Sequence, residues 1–573
     1  IKIYSFIVSN YKTSRDSLHK IKLNGIEVSG KPLADSFNNY FVNVVDKLTL
    51  NTDLRHISHN DSSIFLEPVS EEEVIDIFGN LKNSNAEDID SMQVKPFKHA
   101  VFSLAPCIAH IFNLCLSQAV FPIKMQVARV TMLFKKGDRN DMGNYRPVSI
   151  LPVLSKAFEK VILKRFNKFE TKHHLLIDSQ YGFRKNLSTE LALLAQKEHI
   201  LSELEKGNIV LGLFVDFTKA FDHINHDLLI QKLERYGIRG IAASLIRSYL
   251  QYRSQIVSLD DSLSDPLQVS SGVPQGSILG PFLFNMYVND IVSISSSAKF
   301  INYADDTSIL LAGKLPDEIV DHANSTLLRL EDWTKGNGLK INVEKTKAIL
   351  FRGKNKNIVT SKIITLKSAP VEIVPFFKTL GVIFQETLSW DNHIISVMTK
   401  LSQILGVTYR NRYILPRNIM ILIYNSLFSS RLNYRHLVWA SSSQENLLKI
   451  HILQKRFLRI VENVPNRHHT QSLFTKYNVL PITKMYDFRL CKQYKQETRN
   501  DICLLRNLAK LKPHVAVHNT RKNEPWDIDT CRTSYGLEMI QNKLPRLLNK
   551  LHDKNIQPEH ISFKKLRNVF RFL

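Results

Sequence analysis

An apolar stretch interrupted by two adjacent acids constrains this chain more than any other feature of its sequence. Residues 300–311 read FINYADDTSILL, and Asp305 and Asp306 separate its two strand-like halves. This pattern predicts a β-hairpin with both acids at its tip. Side chains alternate between the faces of a strand, so neighbouring carboxylates serve one site only where a turn breaks that alternation. There they can bind a hard cation, although an Asp-Asp pair in a turn is usually just solvated, so that a further acid is needed to favour a metal site.

A third carboxylate follows a second strand-like segment. Asp216 comes directly after residues 209–215, IVLGLFV, whose continuous apolar character predicts a fully buried strand. If this strand pairs with the hairpin in one sheet, Asp216 lies beside Asp305 and Asp306. Three carboxylates from two strands can bind two Mg²⁺ ions that orient a nucleoside triphosphate, activate an attacking hydroxyl and neutralise the leaving group.

Seven segments, in the family's order, resemble the motifs of reverse transcriptases from non-LTR retrotransposons, the LINE class and its jockey-like members. Three of them resemble motifs A, B and C, namely FVDFTKAFDHINHDLL (214–229), GVPQGSILGPFLFNMYVNDI (272–291) and YADD (303–306). The other four resemble two fingers motifs and motifs D and E, namely 130–162, SQYGFRKNLST (179–189), GLKINVEKTK (338–347) and FFKTLGVIF (376–384).

The resemblance implies the α+β fold of a right-hand polymerase. Its palm is expected to be an antiparallel sheet that carries the acidic hairpin, with fingers, a helical thumb and mainly helical extensions at both ends. We expect an N-terminal extension over 1–99, fingers and palm over 100–386, a thumb over 387–465 and a basic C-terminal region over 466–573. Two Mg²⁺ ions are implied as cofactors, held by Asp216, Asp305, Asp306 and the backbone carbonyl of Phe217.

Four basic residues in the fingers motifs are candidates for substrate contact. Lys135, Lys136 and Arg146 lie in a turn-rich loop, and the resemblance places Arg146 and one of the lysines over the incoming nucleotide. Arg184 is a candidate for contact with the template or triphosphate backbone. Composition alone favours a solvated loop for the first three residues, and a salt bridge within the fingers is the alternative for Arg184.

Motifs A and B supply further candidates for nucleotide binding. Phe221 stands where the family has an aromatic steric gate, whose ring would clash with a ribose 2′-OH. Gln275 resembles the glutamine beneath the incoming nucleotide and template base, and Gly276 lets the backbone approach a ligand closely. Spacing alone would place Phe221 in the core.

Motifs D and E supply a general acid and a primer contact. Lys345 is the candidate that protonates the pyrophosphate leaving group, with Lys340 and Lys347 flanking it. Leu380 and Gly381 lie in the hairpin that grips the primer end in the family.

Periodicity and capping residues predict further elements. Helices are expected over 191–205, 241–250 and roughly 316–335, and another is expected to begin near Ser277. Asp227 is placed as the N-cap of the helix that follows motif A.

Charge points to a polyanionic partner. The chain has 77 Lys and Arg against 53 Asp and Glu, a formal charge of +24 and a pI of about 9.6. No apolar run long enough to span a membrane is expected. The five cysteines form no CxxC pattern and are interpreted as free thiols in a reducing, intracellular compartment.

The predicted function is RNA-directed DNA synthesis from dNTPs on a DNA primer, in target-primed copying of a retroelement RNA. Template RNA, primer or target DNA and dNTPs are therefore the expected partners, and the expected locations are the nucleus during integration and the cytoplasm as a ribonucleoprotein. Because the sequence starts at Ile1 and no endonuclease is identified, a fragment of a longer reading frame is expected. The alternatives are a group II intron-type maturase and an inactive RNA-binding descendant.

Overall fold

The computed structural model describes residues 20–500, 503–514 and 524–572, apart from residues 24, 44–53, 55, 56 and 58. The chain divides into two compact units. Unit 1 comprises Ile1–Asp178, Phe217–Ile294 and Arg329–Ile341, and unit 2 comprises Ser179–Asp216, Ser295–Leu328 and Asn342–Leu573. The four regions expected from the sequence remain a prediction.

Fifteen strands occur within the described residues. They are β1 Lys20–Leu23, β2 Ile26–Ser29, β3 Val127–Phe134, β4 Tyr145–Ile150, β5 Ile209–Val215, β6 Ser254–Leu259, β7 Ser262–Leu263, β8 Leu267–Gln268, β9 Lys299–Tyr303, β10 Asp306–Gly313, β11 Lys347–Phe351, β12 Thr365–Leu366, β13 Ala369–Pro370, β14 Phe376–Thr379 and β15 Val382–Gln385.

Twenty α-helices occur in the same part of the chain. They are α1 Gly30–Asn43, α2 Glu71–Gly79, α3 Val94–Gln118, α4 Val153–His173, α5 Thr189–Glu205, α6 His226–Arg235, α7 Ile241–Gln251, α8 Gly280–Tyr287, α9 Pro316–Gly336, α10 Asp391–Arg410, α11 Arg417–Ile423, α12 Ser430–Asn433, α13 His436–Trp439, α14 Gln444–Glu462, α15 Gln471–Lys476, α16 Ile482–Asn500, α17 Leu504–Ala509, α18 Ser534–Glu538, α19 Ile540–His552 and α20 Phe563–Phe572.

Unit 1 contains a sheet in the order β4-β3-β6-β7, with β8 paired to β6. Strands β3 and β6 are parallel, whereas the other pairs are antiparallel. Helix α1 packs on this sheet because its apolar residues recur at helical spacing, and Leu33 and Phe37 are fully buried there with Val130 and Val257. Val44, which continues the spacing in the sequence, lies outside the described residues.

A buried carboxylate fixes the start of α8 in unit 1. Glu159 of α4 is fully buried and accepts hydrogen bonds from the backbone N–H groups of Ile278 (2.6 Å) and Leu279 (3.0 Å). These are N–H groups that a helix start would otherwise leave unsatisfied. Burial raises the pKa of Glu159 to about 7.

Replacement of Glu159 by Gln should remove a pH dependence of stability. The unfolded carboxyl ionises near pH 4.5 and the folded one near pH 7. The folded protein therefore binds more protons between these values, and its stability falls as the pH rises, by roughly 3 kcal/mol over the interval. Gln keeps the oxygen acceptor but does not titrate. Unfolding midpoints between pH 5 and pH 8 should fall less steeply for Glu159→Gln than for wild type, and equal slopes would contradict this account of Glu159.

Unit 2 contains a four-stranded antiparallel sheet in the order β11-β5-β10-β9. All seven residues of β5 are buried, as the apolar run predicted. Helix α5 packs on this sheet, and its N-cap Ser188 accepts a hydrogen bond from the N–H of Leu191. Helices α10 to α20 follow in the same unit. The predicted α+β class, with an acidic hairpin on an antiparallel sheet and mainly helical regions, is confirmed.

Two element predictions need correction in detail. The N-cap of α6 is Asn225, whose side chain accepts from the N–H of Leu228, whereas Asp227 lies inside the first turn and pairs with Arg247 at 3.1 Å. Helix α8 begins at Gly280, because Ser277 lies in the preceding turn and accepts from the N–H of Gly280 through its hydroxyl.

Helix α3 overturns the expectation that no stretch is long and apolar enough to span a membrane. By length and composition, this helix meets that test, alone among the described helices. Val101, Ala105, Ile108 and Phe112 on one side of it are buried. A core helix of a globular unit passes the same test, so length and composition do not distinguish the two cases.

Candidate active site

Asp216 and Asp306 lie at the same end of two paired strands in unit 2. Val215 of β5 stands opposite Thr307 of β10, so the antiparallel register continues outward from this pair to Asp216 and Asp306. Both acids line one cavity of about 410 Å³. Asp216 has a side-chain exposure of 39%, and Asp306 is exposed. The pairing of the two sequence segments is therefore as predicted.

The acidic hairpin has a two-residue turn formed by Ala304 and Asp305. Tyr303 and Asp306 are opposite each other on β9 and β10, so only Asp305 lies in the turn itself. Ala304 has φ of +57°, which fits a type II′ turn, with positive φ at its first central residue only. The prediction that both acids lie at the tip is thus wrong for Asp306, the first residue of β10.

The donor types at this site suit a hard divalent cation, although only two of the three carboxylates line the cavity. Within the described residues, no group of three or more Asp, Glu, His or Cys side chains is arranged to hold a metal ion. Asp216 and Asp306 share the cavity, whereas Asp305 does not line it. Like-charged carboxylates repel each other unless a cation separates them, and Asp216 is paired instead with the Lys345 ammonium at 3.5 Å.

The segment just before β11 holds Asp216 and supplies its cationic partner. The N–H of Asn342 donates to the carbonyl of Asp216 at 2.8 Å. The Thr346 hydroxyl donates to the carbonyl of Asn342 at 2.7 Å, which closes the turn that presents Lys345. Lys347 is paired with Glu372 at 2.9 Å, so Lys345 is the motif D lysine that contacts Asp216.

Gln180 supports the acidic turn, and sequence reasoning missed it. Its side chain is 1% exposed, and its Oε1 accepts from the N–H of Gly182 at 2.8 Å and from the N–H of Ala304 at 3.0 Å. Residue 182 must be Gly, since a Cβ there would lie 2.3 Å from the Ala304 nitrogen. The available signal was the QxG spacing just before Phe183, in a segment otherwise interpreted for its arginine.

The hairpin of β14 and β15 brings one of the two predicted primer-contact residues, Leu380, to the same cavity. Leu380 and Gly381 form its two-residue turn with φ of +42° and +80°, the pattern of a type I′ turn. Leu380 lines the cavity with Asp216, and so does Lys378, which the sequence analysis did not single out. Arg184, also in unit 2, donates to the carbonyl of Gln180 at 3.3 Å.

A second group of candidates forms a hydrogen-bonded chain in unit 1. Arg146 Nε donates to Gln275 Oε1 at 2.9 Å, and Gln275 Nε2 donates to the two carboxylate oxygens of Asp222 at 2.9 and 3.1 Å. Gly276 lies close to β4, since a Cβ there would be 2.5 Å from the Ser149 carbonyl oxygen. Gln275 and Asp222 line a small cavity of about 50 Å³.

Asp222 is a second supporting residue that the sequence analysis did not single out. Burial raises the pKa of its carboxyl, while Gln275 and the nearby Lys219 counteract that shift. By accepting both hydrogen bonds through its oxygens, Asp222 forces the amide of Gln275 to present Oε1, not Nε2, to Arg146. An acid one residue after the aromatic Phe221 was the available signal.

The remaining candidates of unit 1 differ in exposure. The Phe221 ring is half-buried and stacks on Phe284 of α8 with centroids 4.2 Å apart. Phe217 is 6% exposed and forms a backbone bridge with Ile341. Lys135 and Lys136 are exposed.

Residues 134–390 match the family described as reverse transcriptase (RNA-dependent DNA polymerase). A probable RNA-directed DNA polymerase from transposon BS of Drosophila melanogaster is 26% identical over 475 residues, which are 79% of this chain and 51% of that protein. The RNA-directed DNA polymerase from mobile element jockey of the same species is 27% identical, over 70% of this chain and 45% of its own length. The chain thus spans about half the length of these relatives. Among solved structures, apo telomerase from Candida tropicalis aligns with a TM-score of 0.36 at 10% identity, over 66% of each chain.

Replacement of Gln180 by Leu should loosen the acidic turn without direct contact with either aspartate. The change removes the acceptor for two buried N–H groups, each of which then costs roughly 1–3 kcal/mol. Hydrogen exchange in residues 300–308 should become faster in Gln180→Leu and stay unchanged in Gln471→Leu, which alters an exposed glutamine. Unchanged protection of this segment in Gln180→Leu would show that the side chain does not support the turn.

Proposed function

We propose that this chain, which belongs to the reverse transcriptase family of non-LTR retrotransposons through residues 134–390, is an RNA-directed DNA polymerase. Its substrates would be dNTPs and a DNA primer 3′-OH, and its template would be RNA. The observation that carries the proposal is the cavity that Asp216 and Asp306 share at the ends of β5 and β10, with Lys345 beside Asp216.

Members of this family use divalent metal ions. We propose that Asp216, Asp305 and Asp306, with the backbone carbonyl of Phe217, hold two Mg²⁺ ions, since carboxylate and carbonyl oxygens are ligands that Mg²⁺ prefers. When bound, such ions promote ionisation of an attacking hydroxyl and neutralise charge on the phosphates. A metal ion at Asp216 would compete with Lys345, which contacts one oxygen of that carboxylate at 3.5 Å.

Lys345 can also contact groups other than Asp216. Its side chain is 59% exposed and lines the cavity, so its ammonium can turn toward an anionic group that enters. We propose that it donates a proton to the pyrophosphate leaving group. Leu380 and Gly381, in the tight turn of the neighbouring hairpin, are proposed to position the primer end.

Unit 1 is proposed to bind the incoming nucleotide. Arg146 has a planar guanidinium with donors left over beyond its bond to Gln275, and these suit the oxygens of a triphosphate. Lys135 and Lys136 add charge in the same loop, and in unit 2 Arg184 is proposed to contact the template or triphosphate backbone. Phe221 is proposed to exclude the ribose 2′-OH, and its stacking on Phe284 holds the ring in one orientation.

Removal of any one carboxylate should abolish DNA synthesis. Purified protein with an RNA template, an annealed DNA primer, dNTPs and Mg²⁺ should extend the primer. Asp216→Asn, Asp305→Ala and Asp306→Asn should each lower the extension rate by at least about a hundredfold, because charge stabilisation in a closed site is lost. Asp332→Asn, which alters an exposed acid on α9, is the matched control. Extension by the three variants at the wild-type rate would refute the assignment, and RNA binding without extension by wild type would favour an inactive RNA-binding descendant.

Replacement of Phe221 by Val should relax sugar selection. A smaller side chain leaves room for a 2′-OH, and a change of this size in a packed pocket alters discrimination by about tenfold or more. The ratio of kcat/KM for an rNTP to that for the matching dNTP should rise, while dNTP incorporation by Phe221→Val persists. An unchanged ratio would mean that the ring does not face the sugar.

Replacement of Asp222 by Leu should weaken nucleotide binding more than chemistry. Without its acceptors, the Gln275 amide can rotate and present Nε2 to Arg146, which breaks their hydrogen bond. We expect the KM for dNTP to rise about tenfold, the usual size of a loss at a charge-assisted hydrogen bond, with a smaller change in kcat. Asp222→Glu should retain part of the wild-type KM. Equal losses in kcat and kcat/KM would instead place Asp222 in transition-state stabilisation.

A further inference from the structure

The end of helix α10 exposes two tyrosines on either side of one arginine. Tyr409 is 51% exposed and Tyr413 is 75% exposed. The guanidinium carbon of Arg412 lies 3.8 Å from the centroid of the first ring and 4.2 Å from that of the second. These three residues are called the aromatic–arginine cluster below.

Hydrogen bonds fix the guanidinium in this arrangement. Arg412 donates to the carbonyl of Tyr409 at 2.9 Å and to the hydroxyl of Tyr413 at 3.0 Å. The arginine therefore occupies one face of each ring and holds both rings in place, while their high exposure leaves other ring surface to solvent. Aromatic rings that are held rigid and exposed to water are unfavourable in an isolated protein, but a flat ligand can stack on them.

The surrounding sequence is basic without compensation by acids. Residues 392–444 contain no Asp or Glu, and their basic residues are Lys400, Arg410, Arg412, Arg417, Arg431 and Arg435. Arg417 is paired with Glu462 of α14 and Arg435 is buried, which leaves Lys400, Arg410 and Arg431 exposed. Partial burial and the nearby charges of Arg431 and Lys378 lower the pKa of Lys400, as expected where cations are close together.

An exposed apolar side chain directly follows the cluster in the sequence. Ile414, the residue after Tyr413, is 78% exposed. Exposed rings within a basic segment that has no acids match one class of polymer, in which flat apolar bases alternate with phosphates. Base faces are accessible only in a single strand, since stacking and pairing cover them in a duplex.

We propose that the aromatic–arginine cluster binds single-stranded nucleic acid, with unpaired bases stacked on Tyr409 and Tyr413 and phosphates attracted by the exposed cations of the acid-free segment 392–444, of which Arg410 is the nearest in sequence. The site deepens the proposed function, on which it rests for the identity of the strand, since the unpaired template RNA would be its ligand in the polymerase. Stacking itself does not distinguish RNA from DNA, because both have the same base faces.

Fluorescence anisotropy with the full chain tests the proposal without dNTPs or divalent ions. The probes are labelled oligo(U), oligo(dT) and a blunt duplex, each of about twenty nucleotides, enough to cover a site of this kind. Tyr409→Ala/Tyr413→Ala should raise the Kd for single-stranded RNA by about tenfold or more, the usual effect of losing a stacked base. Tyr409→Phe/Tyr413→Phe should retain the wild-type Kd within about threefold, because stacking needs the ring and not the hydroxyl.

Two further variants test whether binding depends on stacking and not merely on the charge of Arg412 or on the exposure of a tyrosine. Arg412→Lys keeps the charge but not the flat guanidinium, so it should weaken binding while the salt dependence of the Kd stays as in wild type. Tyr252→Ala, at a tyrosine of unit 1 with 53% exposure, should bind as wild type does.

Several outcomes would overturn the proposal. Wild-type binding by the Ala pair, an equal loss in the Phe pair, or an equal loss of duplex binding would each show that stacking on these rings does not occur. Loss of oligo(dT) binding together with oligo(U) binding would support the site as one for either strand, and loss of oligo(U) binding alone would support an RNA site. Because the assay requires no synthesis, weakened binding in the Ala pair would stand even if wild type failed to extend a primer.

Discussion

The antiparallel pairing of β5 with β10 is the interaction on which the candidate active site depends. It joins segments almost a hundred residues apart and brings Asp216 level with Asp306. A slip of one residue would turn each side chain to the opposite face of the sheet and separate the acids. Gly212 opposes such a slip, because a Cβ there would lie 2.9 Å from the Phe351 ring and 3.3 Å from Leu310. The register is therefore set by packing inside the sheet, away from the acids themselves.

The backbone around the acids is held by groups from other parts of unit 2. The Gln180 side chain accepts from the N–H of Ala304 at the acidic turn and from the N–H of Gly182, and the backbone N–H of Asn342 donates to the carbonyl of Asp216. Each of these bonds satisfies a backbone group that would otherwise be costly to leave without a partner. The carboxylates of Asp216 and Asp306 line the cavity. This arrangement is expected of groups that must exchange partners during a reaction.

The elements that could be predicted from the sequence are those with a local signal. The apolar run before Asp216 gave a buried strand, and the two halves around Asp305 gave a hairpin, because strand character depends on neighbouring residues. Helix α5 was predicted for the same reason. The N-cap of α6 was misplaced by two residues, since Asn225 and Asp227 are both good caps and the choice between them depends on tertiary packing.

The supporting residues could not be predicted, because their partners are distant along the chain. Gln180 and Ala304 are 124 residues apart, and Asp222 and Gln275 are 53 apart. Neither glutamine nor aspartate has a periodic pattern that would indicate such a bond. Helix α3 shows that a local signal can also be ambiguous, since its composition alone does not distinguish a core helix from a membrane span. The roles of the acids came from their resemblance to family motifs, and the structure adds which of them share a cavity.

Iron-mediated cleavage tests most directly whether acids from both segments hold one divalent ion. Fe²⁺ takes the place of Mg²⁺ at oxygen ligands, and with ascorbate and peroxide it cuts the nearby backbone, so that the fragments report which segments lie beside the ion. We predict cuts near residue 216 and near residues 305–306 of the same protein, with both suppressed by excess Mg²⁺ and lost together in Asp216→Asn. Cuts at only one of these segments, or cuts that Asp216→Asn leaves unchanged, would contradict a shared site.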